Sequence, residues 1–339
     1  MLNSSFMQTG QYALKLITLS SVLMAFASCT TIQTRRGSEK PGTVTSVQSS
    51  SDQPSSQIQS SGETAGESPA NVDFSTSAVE PVPVPPTHFK EIRLGVVLGP
   101  GGAKTYGHIG VLKELQKRRI PIQMIAGVEW AALPAALFAS KGYVNDVEWQ
   151  MMKMKEADWF TPSLLSSKKS VSMSEVHNDL DKIFAGARVE TFKHQFVCPA
   201  WNMEKKQTYL MQKGALLQLL PFCLGFPPLF QPYQKNVAGL VDMKSVTDHM
   251  RSKGVNYILF VNVLDQAPML LVSDDLGSSV AWSSAMSQYQ KQRNGIDEVI
   301  GVNLKEFQLR DFSKKREIMN KSLDLAPKVI GPWAQKLGF

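Results

Sequence analysis

Residues 92–140 read in order as strand, glycine turn, helix, strand, sharp turn and helix, and few folds accept that succession. Ile92 to Leu98 is almost wholly apolar, as a strand covered on both faces must be. It runs into Gly99-Pro100-Gly101-Gly102, followed by a predicted helix from about Lys104 to Arg118. On that helix Ile109, Leu112 and Leu115 recur every three residues and mark a buried stripe. Pro121 to Ala126 is a second apolar strand, and a sharp turn leads from it into a helix over Trp130 to Ser140. The order predicts an α/β domain with a mostly parallel central sheet covered on both faces. A further central strand is expected at 256–263 and a last one at 297–302. Helices are expected at 143–156, 173–185, 245–252, 280–291 and 312–326.

The 339 residues exceed what this domain needs, and the surplus lies at the N-terminus. Lys15 precedes an apolar run, Leu16 to Ala27, that is shorter than the ~20 residues of a membrane span and suits a secretory signal. The small residues before Cys29 resemble a bacterial lipoprotein signal, in which that cysteine becomes the acylated N-terminus. An ordinary signal peptide with an incidental cysteine and an uncleaved hydrophobic anchor are the alternatives. Residues 31–87 are dominated by Ser, Thr, Gln, Gly and Pro and end in a proline-rich stretch at 81–86, a composition that cannot offset ordering entropy by burial. The expected organisation is a signal peptide at 1–28, a lipidated cysteine and disordered tether at 29–87, and one domain at 88–339. That arrangement implies a membrane partner through the lipid anchor, in the envelope of a Gram-negative bacterium, as an outer-membrane lipoprotein facing the periplasm. Cys198 and Cys223 could pair in such a compartment, but two cysteines make no disulfide framework, and buried thiols are the expectation. The net charge of +7 is modest, though it would help a basic surface meet anionic lipid. Five scattered histidines form no metal-ligand cluster, and no interleaved aromatic and basic strip points to nucleic acid. No cofactor is expected.

The glycine turn lacks the Gly-x-Gly-x-x-Gly spacing and distant acid of a dinucleotide site. Ala103 before Lys104-Thr105 breaks the phosphate-loop pattern. What the turn can do is aim backbone N–H groups and a helix N-terminus at a negative oxygen, although Pro100 contributes no N–H.

With that anion-cradling turn and the strand-turn-helix at 122–140 in hand, residues 92–140 resemble the N-terminal part of patatin-like phospholipases. The turn Gly99-Pro100-Gly101-Gly102-Ala103-Lys104-Thr105 aligns without gaps. The likeness continues through Ala215 to Pro221, Phe226 to Pro232 and Asp311-Phe312-Ser313, and so covers nearly all of residues 90–326. It implies a three-layer α/β/α fold and a Ser-Asp dyad served by an oxyanion cradle. The cradle falls on Gly101, Gly102, Ala103 and Lys104, and the nucleophile elbow on Gly127, Glu129 and Ala131.

The departures from the family pattern fall on the chemistry. Glu129 stands where the serine belongs, Ala131 replaces the elbow's second glycine, Lys104 replaces an arginine and Thr105 a glycine. The dyad aspartate aligns with Ala238, and Asp242, four residues later, is a weak candidate to rescue it. A serine hydrolase needs a hydroxyl, a base and oxyanion donors, and two of the three are missing. Glu129 would sit at a helix N-terminus, where a carboxylate is favoured, with the turn amides and Lys104 as candidate partners. The expectation is a pseudoenzyme whose carboxylate fills the old cradle and which binds a lipid, acyl chains or a protein partner. The alternatives are an acyl hydrolase with an unorthodox site, and a structural or scaffolding lipoprotein with a collapsed pocket. His108 is expected to pack structurally, and Pro134 to remove one helix N–H and perturb the helix after the elbow. Leu216 to Leu229 reads as core and pocket wall, with an acyl-chain mouth or a membrane patch as the functional alternative. Met151, Met152, Met154, Trp159 and Phe160 read as core before lid or partner groove.

Overall fold

The computed structural model describes residues 91–160, 170–264, 276–292 and 294–339. The signal, Cys29 and tether expectations lie outside them. The described residues belong to one unit, Pro83–Phe339. In chain order the elements are β1 (Leu94–Leu98), α1 (Gly107–Lys117), β2 (Ile122–Gly127), α2 (Ala132–Lys141), α3 (Val144–Lys153) and α4 (Glu156–Trp159). There follow α5 (Met173–Phe184), β3 (Gln195–Asn202), β4 (Gln207–Met211), α6 (Leu216–Leu224), β5 (Asn236–Ala238) and α7 (Met243–Ser252). The last are β6 (Tyr257–Asn262), α8 (Leu276–Lys291), β7 (Glu298–Gly301) and α9 (Lys315–Lys336). Helices lie on both sides of a mostly parallel sheet ordered β4-β3-β2-β1-β6-β7, with β5 added beside β3.

β1 is central because all five of its residues are buried; it pairs in parallel with β2 on one side and β6 on the other. β7 continues the parallel run from β6. The sheet turns antiparallel at β3, which the sequence reading missed because Pro199 lies inside it. Gln195, Phe196 and Val197 pair in parallel with β2, whereas Ala200, Trp201 and Asn202 pair antiparallel with β5. Pro199 falls between these two partners, where no ladder N–H is required.

The helix expected at 143–156 divides into α3 and α4 at Met154-Lys155, the one expected at 280–291 begins at Leu276, and two others change at their ends. The first helix begins as a 3-10 turn over Gly102–Tyr106. The last one runs ten residues beyond 326, through Pro327 and Pro332, because Ala326, Ile330, Trp333 and Ala334 keep its inner face buried. Pro134 is the third residue of α2, within its first turn, where no intrahelical partner awaits its missing N–H, and α2 continues unbroken.

Cys198 and Cys223 correct the thiol expectation. They form a disulfide, Cα to Cα 5.9 Å, between β3 and α6. Separation along the chain carried no signal; the packing of α6 against β3 brings two buried side chains face to face.

Candidate functional site

The elbow begins where β2 ends. A Cβ on Gly127 would lie 2.4 Å from both the Ala131 carbonyl oxygen and the Ala132 Cα, so only glycine allows the chain to turn back this sharply. The Val128 N–H donates to the Leu98 carbonyl at 3.0 Å and stitches the turn to the end of β1. Glu129 follows with φ of 57°, in the left-handed region that a side chain adopts only when its surroundings impose it, at a cost of about 1–3 kcal/mol. A short 3-10 turn, Glu129–Ala131, then leads into α2. The strained point that would present a nucleophile is therefore intact, and it presents a carboxylate.

Across from it lies the glycine turn. The N–H groups of Gly101 and Gly102 donate to Glu129 Oε2 at 3.1 and 2.9 Å. Gly102 has φ of 52°, and a Cβ there would meet Leu229 and the Leu309 carbonyl at 2.5 Å. The other two expected cradle amides are used elsewhere. Ala103 N–H donates to Leu309 O at 2.8 Å, and Lys104 N–H to Gly101 O at 2.9 Å, closing the 3-10 turn. Lys104 is buried, and its charge acts on Glu306. His108 is structural: its Nε2–H donates to Gly99 O at 2.7 Å, and burial lowers its pKa to about 4, so it stays neutral.

Glu129 is fully buried. Burial raises its pKa to about 7, against the opposing pull of the Gly102, Gly101 and Trp130 amides. Its Oε1 has no hydrogen-bond partner, and neither has the neighbouring Trp130 Nε1. The carboxylate puts a negative oxygen where the cradle would hold the oxygen of an acyl intermediate. The same two amides cannot hold Glu129 Oε2 and an ester's oxyanion together.

The expected base position carries no titratable group. Ala238 ends β5, is buried, and is tied through its N–H to Gly225 O at 2.8 Å. Its methyl group can take no proton. Asp242 caps α7, accepting from the Ser245 N–H at 3.1 Å and from the Ser245 hydroxyl. Partial burial opposes its ionisation, but the Ser245 hydroxyl and amide and the Thr208 hydroxyl hold its pKa below the usual range. Those contacts give it a cap's role.

Sequence reasoning missed Trp130 as an organiser of the site. Its ring stacks on Phe230 at 4.5 Å between centroids and meets Trp159 and Phe312 edge-on at 5.7 Å. Phe160 stacks on Phe312 at 5.2 Å. The Phe226 to Pro232 and Asp311-Phe312-Ser313 stretches thus converge on the elbow, and the Met-Trp-Phe segment packs inward there. Beside it, buried Glu156 accepts from the Tyr106 hydroxyl and pairs with Lys315 at 3.0 Å, fastening α4 to α9. Among the described residues, no group of three or more His, Cys, Asp or Glu could hold a metal ion.

Residues 96–242 match the family model described as patatin-like phospholipase. Among curated proteins, lysophospholipase NTE1 of Candida glabrata is 25% identical over 197 residues, which is 52% of this chain and 11% of that protein. The Saccharomyces cerevisiae lysophospholipase NTE1 is 24% identical over 198 residues, again 52% of this chain and 11% of its own length. The chain thus spans about a tenth of the length of the curated relatives it matches. Among solved structures, VipD from Legionella pneumophila shares 9% identity, covering 70% of this chain and 67% of that one, at a TM-score of 0.36.

Proposed function

Because the chain carries a patatin-like phospholipase domain, we propose that it acts as a pseudoenzyme, one that binds a lipid, acyl chains or a protein partner and does not hydrolyse esters. The observation that carries this reading is the contact of Glu129 Oε2 with the Gly101 and Gly102 amides. An ester carbonyl can be activated there only if Glu129 leaves, and no hydroxyl or base stands at the elbow or at Ala238 to follow. We place the protein in the bacterial envelope as a lipoprotein anchored through Cys29, facing the periplasm. The Cys198–Cys223 disulfide supports an oxidising compartment. No helix among the described residues is long and apolar enough to cross a membrane.

A second reading has one observation in its favour. A carboxyl whose pKa is raised to about 7 is poised for proton transfer at neutral pH, so an acyl hydrolase using Glu129 as base is the competitor. A scaffolding role with no open pocket is the third reading, supported by the aromatic packing on Trp130.

A phospholipase and esterase assay separates them. The natural protein is expected to show no turnover, and Glu129→Ser combined with Ala238→Asp to gain some. Turnover by the natural protein that disappears in Glu129→Gln would overturn the pseudoenzyme in favour of the hydrolase. Purified protein that carries lipid would remove the scaffolding reading.

A further inference from the structure

The end of the sheet opposite the elbow carries six exposed cations: Arg93, Lys117, Arg119, Lys141, Lys193 and Lys253. They lie where the strands begin, just before β1, β2, β3 and β6, and where α1, α2 and α7 finish. Local contacts make the surface continuous. Lys193 Nζ donates to Lys141 O at 2.8 Å and stands over the Tyr143 ring. Gln123 donates to Lys253 O at 3.0 Å, and the Arg93 guanidinium borders Gly254 beside it. Gln116, next to Lys117, bridges to Gly142 and Val144. Tyr143 projects from this face 60% exposed.

The acids there do not balance the charge. Asp297 is paired with Arg251 and Glu114 is buried against Arg118; Glu91, Asp146 beside Tyr143, and Glu298 at the start of β7 offset three of the six cations. Helix C-termini favour nearby cations whatever lies beyond them, which accounts for Lys117 and Lys141. It does not account for Arg93 and Lys193, which precede strands. The chain also enters the sheet on this face, through Arg93 into Leu94.

We infer that this strand-N-terminal face rests on an anionic lipid surface. An exposed tyrosine amid lysines is the combination that suits a headgroup layer. The inference rests on the lipoprotein reading above, since an anchor at Cys29 would keep the domain close to a bilayer. The elbow, at the opposite strand ends, then faces the aqueous space, so its ligand reaches it from there. Each Lys or Arg near an anionic bilayer strengthens attachment about fivefold.

Photo-crosslinking of the full chain in vesicles tests this. p-Benzoylphenylalanine replaces either Tyr143 or Met203, the latter in the turn after β3 at the elbow end of the sheet. In vesicles of equal parts phosphatidylglycerol and phosphatidylcholine, position 143 is expected to crosslink lipid several-fold more than position 203. Pure phosphatidylcholine should erase the difference. So should Lys117→Gln with Arg119→Gln and Lys253→Gln, which together weaken attachment about a hundredfold. Lys205→Gln with Lys206→Gln and Lys244→Gln, equal in charge and elsewhere on the surface, should leave it unchanged. Equal crosslinking at 143 and 203, or equal losses from the two triple variants, would overturn the inference. Mass spectrometry of the mature N-terminus tests the anchor separately. An unmodified Cys29 removes the lipoprotein reading, and lipid crosslinking at 143 in anionic vesicles then still supports the face.

Discussion

Glu129 combines a left-handed backbone, a buried carboxyl and an oxygen without a partner, all for one contact with two glycine amides. Its ionisation should govern how stability depends on pH. The folded pKa of about 7 lies above the ordinary 4.5, so between those values the folded chain holds a proton that the unfolded chain has lost. Stability therefore falls as pH rises through that window, by about 3 kcal/mol in all. His108 acts in the opposite sense. Its pKa of about 4 lies below 6.5, so stability falls as pH drops from 6.5 to 4. Glu129→Gln removes the first effect and leaves the second. Urea unfolding should show the variant gaining about 3 kcal/mol on the natural protein between pH 4 and pH 8. An equal difference at both pH values would mean that Glu129 does not titrate in this range.

Among the elements, α6 is tied twice near the expected base position, to β3 by the Cys198–Cys223 disulfide and to β5 by the Ala238 N–H to Gly225 O bond. A disulfide closing a loop of 25 residues stabilises by about 3 kcal/mol on chain-entropy grounds. Cys198→Ala with Cys223→Ala should lower stability by about that amount, read from denaturant midpoints at constant slope. A neutral result would show that packing alone holds α6. Local pattern served some elements and failed others. β1, β2 and β6 were legible because both faces are buried and their apolar runs are short. β3 was hidden by Pro199, β5 is only three residues long, and α9 runs past Pro327 and beyond its expected end at 326. In each miss a tertiary partner outweighs the local residue preference.

For the whole molecule, the sheet runs from a buried parallel centre to two edges, β4 and β7. Amides of β1, β2 and β6 should exchange with deuterium only through global opening, and those of β4 and β7 orders of magnitude faster. Uniform protection across the sheet would contradict the layering. At this scale the elbow and the cationic face stand at opposite ends of the strands, which separates the candidate site from the proposed lipid contact.

Residue identity and periodicity alone determined the α/β class and the glycine turn, because each is written in a few neighbouring positions, whereas setting Glu129 at the expected serine position and Ala238 at the expected aspartate position took the family resemblance. Only the tertiary structure decided that the Gly101 and Gly102 amides, and not those of Ala103 and Lys104, meet the carboxylate. The same holds for the bond between Cys198 and Cys223, and for Phe230 and Phe312 closing on Trp130. These contacts join residues that are far apart in the chain, and their geometry exists only once the sheet has brought the strand ends together.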